Sequence, residues 1–231
     1  MNLSLEWIRR RKWFLLLLGI AALLVISPIS EVYAQQDNII SPLTAIILLA
    51  VAFGTAEKKG TLLCFSVLTS VWFVVSILTE GSGLFARESL VAPLLFMILL
   101  AAIFILLARW LIRAAFIDTE VLCAAICGYL LIGIFWAGLY AIIMLNDAKA
   151  LVSISNSRIE LGDMLYFSYT TLTTTGFGDI LPKNPVVRMC AVIEAIVGIF
   201  YNTIVIARFV SLYGIERPEP RGEASVRQES D

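Results

Sequence analysis

The chain alternates between long apolar segments and short polar connections. Six apolar segments occur, at residues 13–30, 39–56, 60–79, 90–108, 121–146 and 189–207. A helix needs about 20 apolar residues to cross the hydrocarbon core of a bilayer, and these segments have roughly that length. The first five carry no charged side chain, and the sixth carries only Glu194. The pattern therefore predicts an all-α membrane protein with six transmembrane helices.

A shorter stretch, residues 162–173, lies between the fifth and sixth segments. It is too short to span a membrane, so we expect a re-entrant helix that enters from the outer face and stops midway. Asp163 is the predicted N-cap, with Gly162 at the bend. The C-terminal end of this helix would face the centre of the membrane and favour cations there.

The residues that follow, Thr174-Thr175-Gly176-Phe177-Gly178-Asp179, have glycine at alternate positions. Glycine tolerates the left-handed backbone conformation that other residues avoid. A backbone that alternates in hand can direct successive carbonyl oxygens at one axis, where they replace the water shell of a potassium ion. We expect such a ladder from the carbonyls of residues 174–177, with the Thr174 hydroxyl adding to the innermost site. Irregular backbone is tolerated at this depth only where it is buried in protein or lines water.

The stretch 161–182, LGDMLYFSYTTLTTTGFGDILP, resembles the pore helix and selectivity filter of tetrameric potassium channels. The usual filter of that family reads Thr-Val-Gly-Tyr-Gly-Asp, and this chain has Thr175 for Val and Phe177 for Tyr. With the flanking helices the resemblance covers residues 120–214. It implies a homotetramer in the lipid bilayer that conducts K⁺ and binds it at Thr174, Thr175, Gly176, Phe177 and Gly178. It also implies that the filter is supported by Tyr166, Phe167, Thr170 and Asp179, with a hydrogen bond from Tyr166 to Asp179.

The sixth segment is the predicted inner helix of the pore. Gly198 lies where the family has a bending glycine, although a glycine there equally serves close helix packing. Thr203 and Ala207 lie one turn apart on the face that we expect to line the pore. An ionisable group within a span is a functional candidate, and Glu194 has three interpretations. It raises the local cation concentration, braces the filter through pore-helix hydroxyls, or makes an ordinary hydrogen bond between helices.

Composition agrees with a membrane protein: 60% of the 231 residues are hydrophobic and 15% are charged. The net charge of −1 gives no basic footprint for nucleic acid. Histidine is absent, and we interpret Cys64, Cys123, Cys127 and Cys190 as small buried apolar residues rather than disulfides or metal ligands. We expect no enzymatic activity and no cofactor, with K⁺ as the permeant ion.

The distribution of basic residues predicts the orientation. With the N-terminus inside, 12 of the 17 Lys and Arg residues lie on the cytoplasmic side. This places both termini in the cytoplasm and the filter at the outer face. The compact architecture predicts a prokaryotic plasma membrane. An alternative remains for residues 1–34, because a basic start, an apolar run and Val32-Tyr33-Ala34 also fit a cleaved signal peptide.

The predicted domains are a basic leader at 1–12, a four-helix domain at 13–113, a pore domain at 114–212 and a short cytoplasmic tail at 213–231. Six helices with a loop between the last two resemble the layout of voltage-gated potassium channels. The fourth segment, however, has no charge between its start and Arg109, so 13–113 lacks the arginine array of a voltage sensor. The sequence predicts no particular gating stimulus, and an unknown gating partner is one of the alternatives. Alternative functions are a weakly selective cation channel and a non-conducting membrane sensor or scaffold.

Overall fold

A computed structural model describes residues 11–33, 66–75, 90–155 and 158–212, and the side chains of the first helix as far as Val25. These ranges contain six helices and one pair of short strands. The helices are α1 (Lys12–Tyr33), α2 (Ser66–Val75), α3 (Val91–Arg113), α4 (Thr119–Asn146), α5 (Leu161–Leu172) and α6 (Pro185–Leu212). The strands are β1 (Leu151–Ser153) and β2 (Ile180–Pro182).

Three of the described helices are long and apolar enough to cross a membrane, namely α3, α4 and α6. They correspond to the fourth, fifth and sixth predicted segments, and α1 covers the first. The described part of the third segment is α2. The second segment, 39–56, and the tail, 213–231, lie outside the described residues, as does the leader before residue 11.

The first apolar cluster joins α1, α3 and α4. Its buried members include Trp13 and Ile20 of α1, Leu99 and Ile103 of α3, and Cys127 of α4. The Trp13 ring also lies 5.2 Å from that of Trp110, between ring centroids. Cysteine and the neighbouring alanines on α4 are small, which allows close approach of the helices. Cys123 and Cys127 are buried, as the apolar interpretation requires, whereas Cys190 is only half-buried.

The second apolar cluster surrounds α5, which contacts both α4 and α6. It contains Tyr140 of α4, Met164 and Phe167 of α5, and Val187 of α6. The strands close this cluster at one end, where β1 pairs antiparallel with β2 and Leu151 lies opposite Pro182. The sequence predicted neither strand, because β1 lies in a polar connection and β2 directly follows the loop that ends at Asp179.

Two spanning helices begin earlier than their apolar runs. On α4, the Asp118 side chain accepts a hydrogen bond from the Val121 amide at 2.9 Å and caps the helix. On α6, Pro185 occupies the first helical position, where its missing N–H costs nothing. The Asn184 side chain accepts a hydrogen bond from the Val186 amide at 2.8 Å. Capping chemistry, rather than hydrophobicity, therefore sets these boundaries.

Arg109 and Arg113 lie within the last turns of α3, which continues beyond the predicted segment. The guanidinium of Arg208 on α6 donates to the carbonyl oxygens of Ile112 at 3.0 Å and Ala114 at 3.1 Å. A cation at the C-terminal end of a helix is favourable because the last carbonyls have no partner within the helix. This contact joins the end of α3 to the end of α6.

Candidate functional site

The short helix α5 begins with a capping box. Glu160 is the N-cap, and its backbone amide donates to the Asp163 carboxylate at 2.9 Å while its own side chain accepts from the amide of that residue. The prediction that Asp163 is the N-cap was therefore wrong. Asp163 is the third residue of the helix, because Leu161 and Gly162 already have helical conformation.

One side of α5 is fixed to α4 by hydroxyl groups. The Tyr169 hydroxyl donates to the carbonyl of Leu130 at 2.8 Å. Gly133 leaves room for the Tyr169 ring, since a Cβ at that glycine would overlap the ring carbons. The Tyr129 hydroxyl, one turn of α4 away from Gly133, donates to the carbonyl of Leu172 at the last residue of α5 at 3.3 Å. These contacts hold the helix along its length and at its end.

The other side of α5 packs on α6 at Gly198. A Cβ at Gly198 would meet the carbonyl oxygen of Leu172 and would lie 3.0 Å from one of its side-chain methyl carbons. Helix α6 continues without a break from Pro185 to Leu212. Close packing therefore accounts for this glycine, and the hinge stays a prediction.

A carboxyl group lies buried where α4, α5 and α6 meet. The Glu194 side chain is fully buried. The Tyr140 hydroxyl donates to its Oε2 at 2.6 Å, and Ser168 Oγ lies 2.5 Å from its Oε1. Of the three interpretations from sequence, the structure contains the hydrogen bond between helices, and one of the two partners is the Ser168 hydroxyl of α5. That this bond braces a filter stays a prediction. The carboxyl is not exposed to act on ions in a cavity.

The loop after α5, residues 173–179, has an alternating backbone. The φ angles of Thr174, Gly176 and Gly178 are +57°, +51° and +80°. Thr174 is the only described non-glycine residue with a positive φ, a conformation that costs energy for a β-branched side chain. Every second residue from 174 to 178 is thus left-handed.

The amide groups at the start of this loop turn back toward α5. The amides of Thr175 and Gly176 both donate to the carbonyl of Thr170, at 2.8 Å and 3.1 Å. The Thr173 and Thr175 hydroxyls lie 2.9 Å apart. None of the described residues donates a hydrogen bond to the carbonyl oxygens of residues 174–177. All side chains from 173 to 179 are exposed in the single chain.

The far end of the loop is fixed by Asp179. Its carboxylate accepts a hydrogen bond from the Tyr166 hydroxyl at 2.9 Å, so the predicted contact between these side chains is present. The rings of Tyr166 and Phe177 are stacked, with an interplanar angle of 7°. The carbonyl of Asp179 accepts from the Ile154 amide at 2.9 Å, which ties the loop to the turn after β1.

A second polar contact lies beyond the strands, between Asp147 after α4 and Asn184 before α6. The Asn184 amide group donates to Asp147 Oδ2 at 2.9 Å, and the Lys149 amide donates to Asp147 Oδ1 at 3.1 Å. These bonds, the one from Asn184 above all, hold the pKa of Asp147 below its ordinary value of 3.8. The end of α4 is thereby joined to the start of α6.

The remaining predicted residues lie on the exposed face of α6, or in and next to the second cluster. Thr203 and Ala207 are exposed, and the Thr203 hydroxyl donates to the carbonyl of Ile199 at 2.8 Å. Their pore-lining role stays a prediction. Phe167 packs against the Tyr140 ring, with centroids 5.2 Å apart, and the Thr170 hydroxyl donates to the Phe167 carbonyl at 3.0 Å.

Several residues that fix α5 were missed from sequence, namely Tyr129, Gly133, Tyr140, Ser168 and Tyr169. No motif marks these residues in the sequence. Tyr140, for example, is separated from its partner Glu194 by 54 positions. A buried acid requires hydrogen-bonding partners, so Glu194 signalled that such residues exist. It did not signal which ones.

A family model described as an ion channel matches residues 119–214. The match starts at the first residue of α4 and includes α5, the loop and α6, but it covers less than half of the chain. No curated protein and no solved structure matches the chain. The match, together with the three apolar helices, indicates an ion channel domain in a membrane protein.

Proposed function

We propose that this protein is a potassium-selective channel, in which four copies form one pore that conducts K⁺ passively across the plasma membrane. The observation that carries the proposal is the alternating backbone of the loop, with positive φ at Thr174, Gly176 and Gly178. This alternation directs successive carbonyl oxygens to the same side of the chain. Rings of such oxygens are what replaces the hydration shell of K⁺.

The hydrogen bonds of the loop support the same function. Its first amides are occupied by the carbonyl of Thr170, whereas the carbonyls of 174–177 receive no hydrogen bond from the described residues. These oxygens are therefore free to bind an ion. The stacking of Phe177 on Tyr166 points the Phe177 side chain toward α5 and leaves the other side of the backbone open.

The length of α5 supports a re-entrant position. Its 12 residues rise about 18 Å, which is less than the roughly 30 Å of a hydrocarbon core. The loop follows directly from its C-terminal end, where the helix dipole is negative and favours a cation. A helix that stops midway through the membrane would place its C-terminal end, and the loop that follows, at the centre of the membrane.

The exposed apolar surface supports a homotetramer. One chain contributes one loop, and a ring of carbonyls around an ion requires four. Little of α6 is buried within one chain, and Phe177 is 69% exposed. The exposed apolar side chains of α6 include Ile196, Ile199, Phe200, Ile204 and Val210. Neighbouring copies would cover this surface.

The test is ion flux into liposomes that contain the purified full-length protein, under a K⁺ gradient and, in parallel, a Na⁺ gradient. We expect K⁺ flux that barium blocks, and little Na⁺ flux. Gly178→Asp places a side chain and a charge on a residue at φ +80°, so it should abolish the flux or its selectivity. Gly138→Ala in α4 is the matched control, because its Cβ meets only the flexible end of Met97.

Two outcomes would contradict the proposal. Equal flux of K⁺ and Na⁺ through the unaltered protein would indicate a weakly selective cation channel. Absence of single-channel currents of either ion from protein that is tetrameric and folded would indicate a sensor or scaffold.

A further inference from the structure

The groups around the buried Glu194 side chain supply one hydrogen-bonding proton too few, unless the carboxyl itself is protonated. Ser168 Oγ lies 2.8 Å from the carbonyl oxygen of Gly133 and 2.5 Å from Oε1 of Glu194. At these distances each oxygen pair shares a hydrogen-bonded proton. A backbone carbonyl supplies none, and a serine hydroxyl supplies one. One proton is therefore missing from the row of three oxygens.

Tyr140 does not supply the missing proton. Its hydroxyl is engaged at the other carboxyl oxygen, Oε2, at 2.6 Å. A proton on Oε1 completes the network: Glu194 donates to Ser168, Ser168 donates to Gly133, and Tyr140 donates to Glu194. Without that proton, two electron-rich oxygens would be in contact with no hydrogen between them.

The surroundings provide no positive charge for a carboxylate. The groups that face Glu194 are Tyr140 from α4, Ser168 from α5 and, one turn earlier on α6, Cys190. No Lys or Arg of the described residues makes an ion pair with it, and its side chain is fully buried. An ionised carboxylate that is buried without a cation is strongly unfavourable.

We propose that Glu194 is a proton-binding site, occupied at neutral pH, whose proton joins α6 to α5. As a neutral acid it is a positioning residue: its hydrogen bond to Ser168 fixes the helix that ends in the loop 173–179. The influence on conduction rests on the proposed channel function, whereas the presence of the proton does not. Removal of the proton at alkaline pH breaks one of the two bonds of Ser168 and leaves an anion between three helices.

Glu194→Gln provides a matched variant. The amide nitrogen of Gln can donate to Ser168, and its oxygen can accept from Tyr140, so the network is retained without a titratable group. Glu194→Ala removes both bonds. Tyr140→Phe removes only the donor at Oε2 and retains the ring that packs on Phe167.

The first measurement is infrared difference spectroscopy of the full-length protein in bilayers, comparing the unaltered protein with Glu194→Gln. We expect a carbonyl band of a protonated carboxylic acid at neutral pH, absent from the variant and shifted by exchange into D₂O. In Tyr140→Phe the band should move to higher frequency, because the carbonyl oxygen loses a donor. Absence of any acid band that Glu194→Gln removes would overturn the proposal, whether or not the protein conducts.

The second measurement is the pH profile of ion flux. We expect flux of the unaltered protein to fall reversibly by about tenfold or more at alkaline pH, where the carboxyl ionises. Glu194→Gln should retain near-normal flux at neutral pH and show no such fall. Glu194→Ala should lose flux at every pH. An alkaline fall that is unchanged in Glu194→Gln would refute the positioning role, as would loss of flux in a folded Glu194→Gln tetramer.

Discussion

The carbonyl oxygen of Leu172, the last residue of α5, packs against the backbone of Gly198 in the middle of α6 so closely that no Cβ fits between them. The end of the short helix is therefore in direct contact with the long helix that we propose lines the pore. This contact is made by backbone on both sides, so neither residue can relieve an overlap by changing its rotamer.

Gly198→Ala should separate these two helices. A glycine-to-alanine change within a helix ordinarily favours the helix by about 1 kcal/mol. Here we expect the opposite sign, a loss of about 1–3 kcal/mol from overpacking, together with reduced ion flux. The measurement is the thermal midpoint of the purified protein in detergent. Gly138→Ala is the control, and an equal or higher midpoint for both variants would disprove the close contact.

The bond between Tyr166 and Asp179 should stabilise the loop in its conducting form. Tyr166→Phe keeps the ring that stacks on Phe177 and removes only the hydroxyl that donates to Asp179. We expect channel currents of this variant to decline faster during sustained opening. The check is a double-mutant cycle with Asp179→Ala: the double variant should decline no faster than the more severe single one. Additive effects would show that the two side chains act independently.

Acid should weaken the contact between Asp147 and Asn184. Because the Asn184 bond lowers the pKa of Asp147 in the folded protein, the stabilisation is complete above the ordinary value of 3.8 and is lost as pH falls through the lower folded value. Asn184→Ala should weaken this dependence, since the Lys149 amide still donates to Asp147, and it should be less stable at neutral pH. Because Asn184 also accepts from the Val186 amide, part of the loss should persist at every pH. Thermal midpoints recorded between about pH 6 and pH 3 would test this, since the difference between the two proteins should shrink toward the acid end. A constant difference would exclude Asp147 as the cause.

The contact of Arg208 with the end of α3 should restrain the connector at 114–118. Arg208→Gln removes the charge and the Nη2 group that donates to both carbonyls, so we expect faster hydrogen exchange at the Ala114 amide, which donates to the carbonyl of Leu111. Arg208→Lys keeps the charge at the helix end but lacks the planar guanidinium whose Nη2 donates to both carbonyls. An intermediate exchange rate for the Lys variant would separate the contribution of charge from that of geometry. Unchanged exchange in both variants would contradict the restraint.

The apolar segments and the glycine spacing predicted much of the local structure. The apolar runs predicted α3, α4 and α6, and the run of 162–173 predicted α5 to within one residue at each end. The alternation of Gly176 and Gly178 anticipated a left-handed backbone at both. These features are local, since they depend on the chemistry of neighbouring residues along the chain.

The features that the sequence did not reveal depend on contacts between distant residues. The polar segment that contains β1 looks like an ordinary loop until β2 lies beside it, 29 positions away at the pair Val152 and Leu181. The bonds of Glu194 to Tyr140 and Ser168 likewise follow from how three helices pack. The N-cap at Glu160 was missed because Asp163 is the better N-cap by residue type, and only the reciprocal bonds of the capping box distinguish them.

The reversal potential of single channels in a planar bilayer measures the proposed selectivity for K⁺ over Na⁺. The bilayer separates KCl from NaCl at equal concentration, so a selective pore must develop a voltage close to the equilibrium potential of K⁺. We predict such a potential for the unaltered protein and a shift toward zero for any open channels of Gly178→Asp. A reversal potential near zero in the unaltered protein would contradict the claim that the loop 173–179 selects potassium.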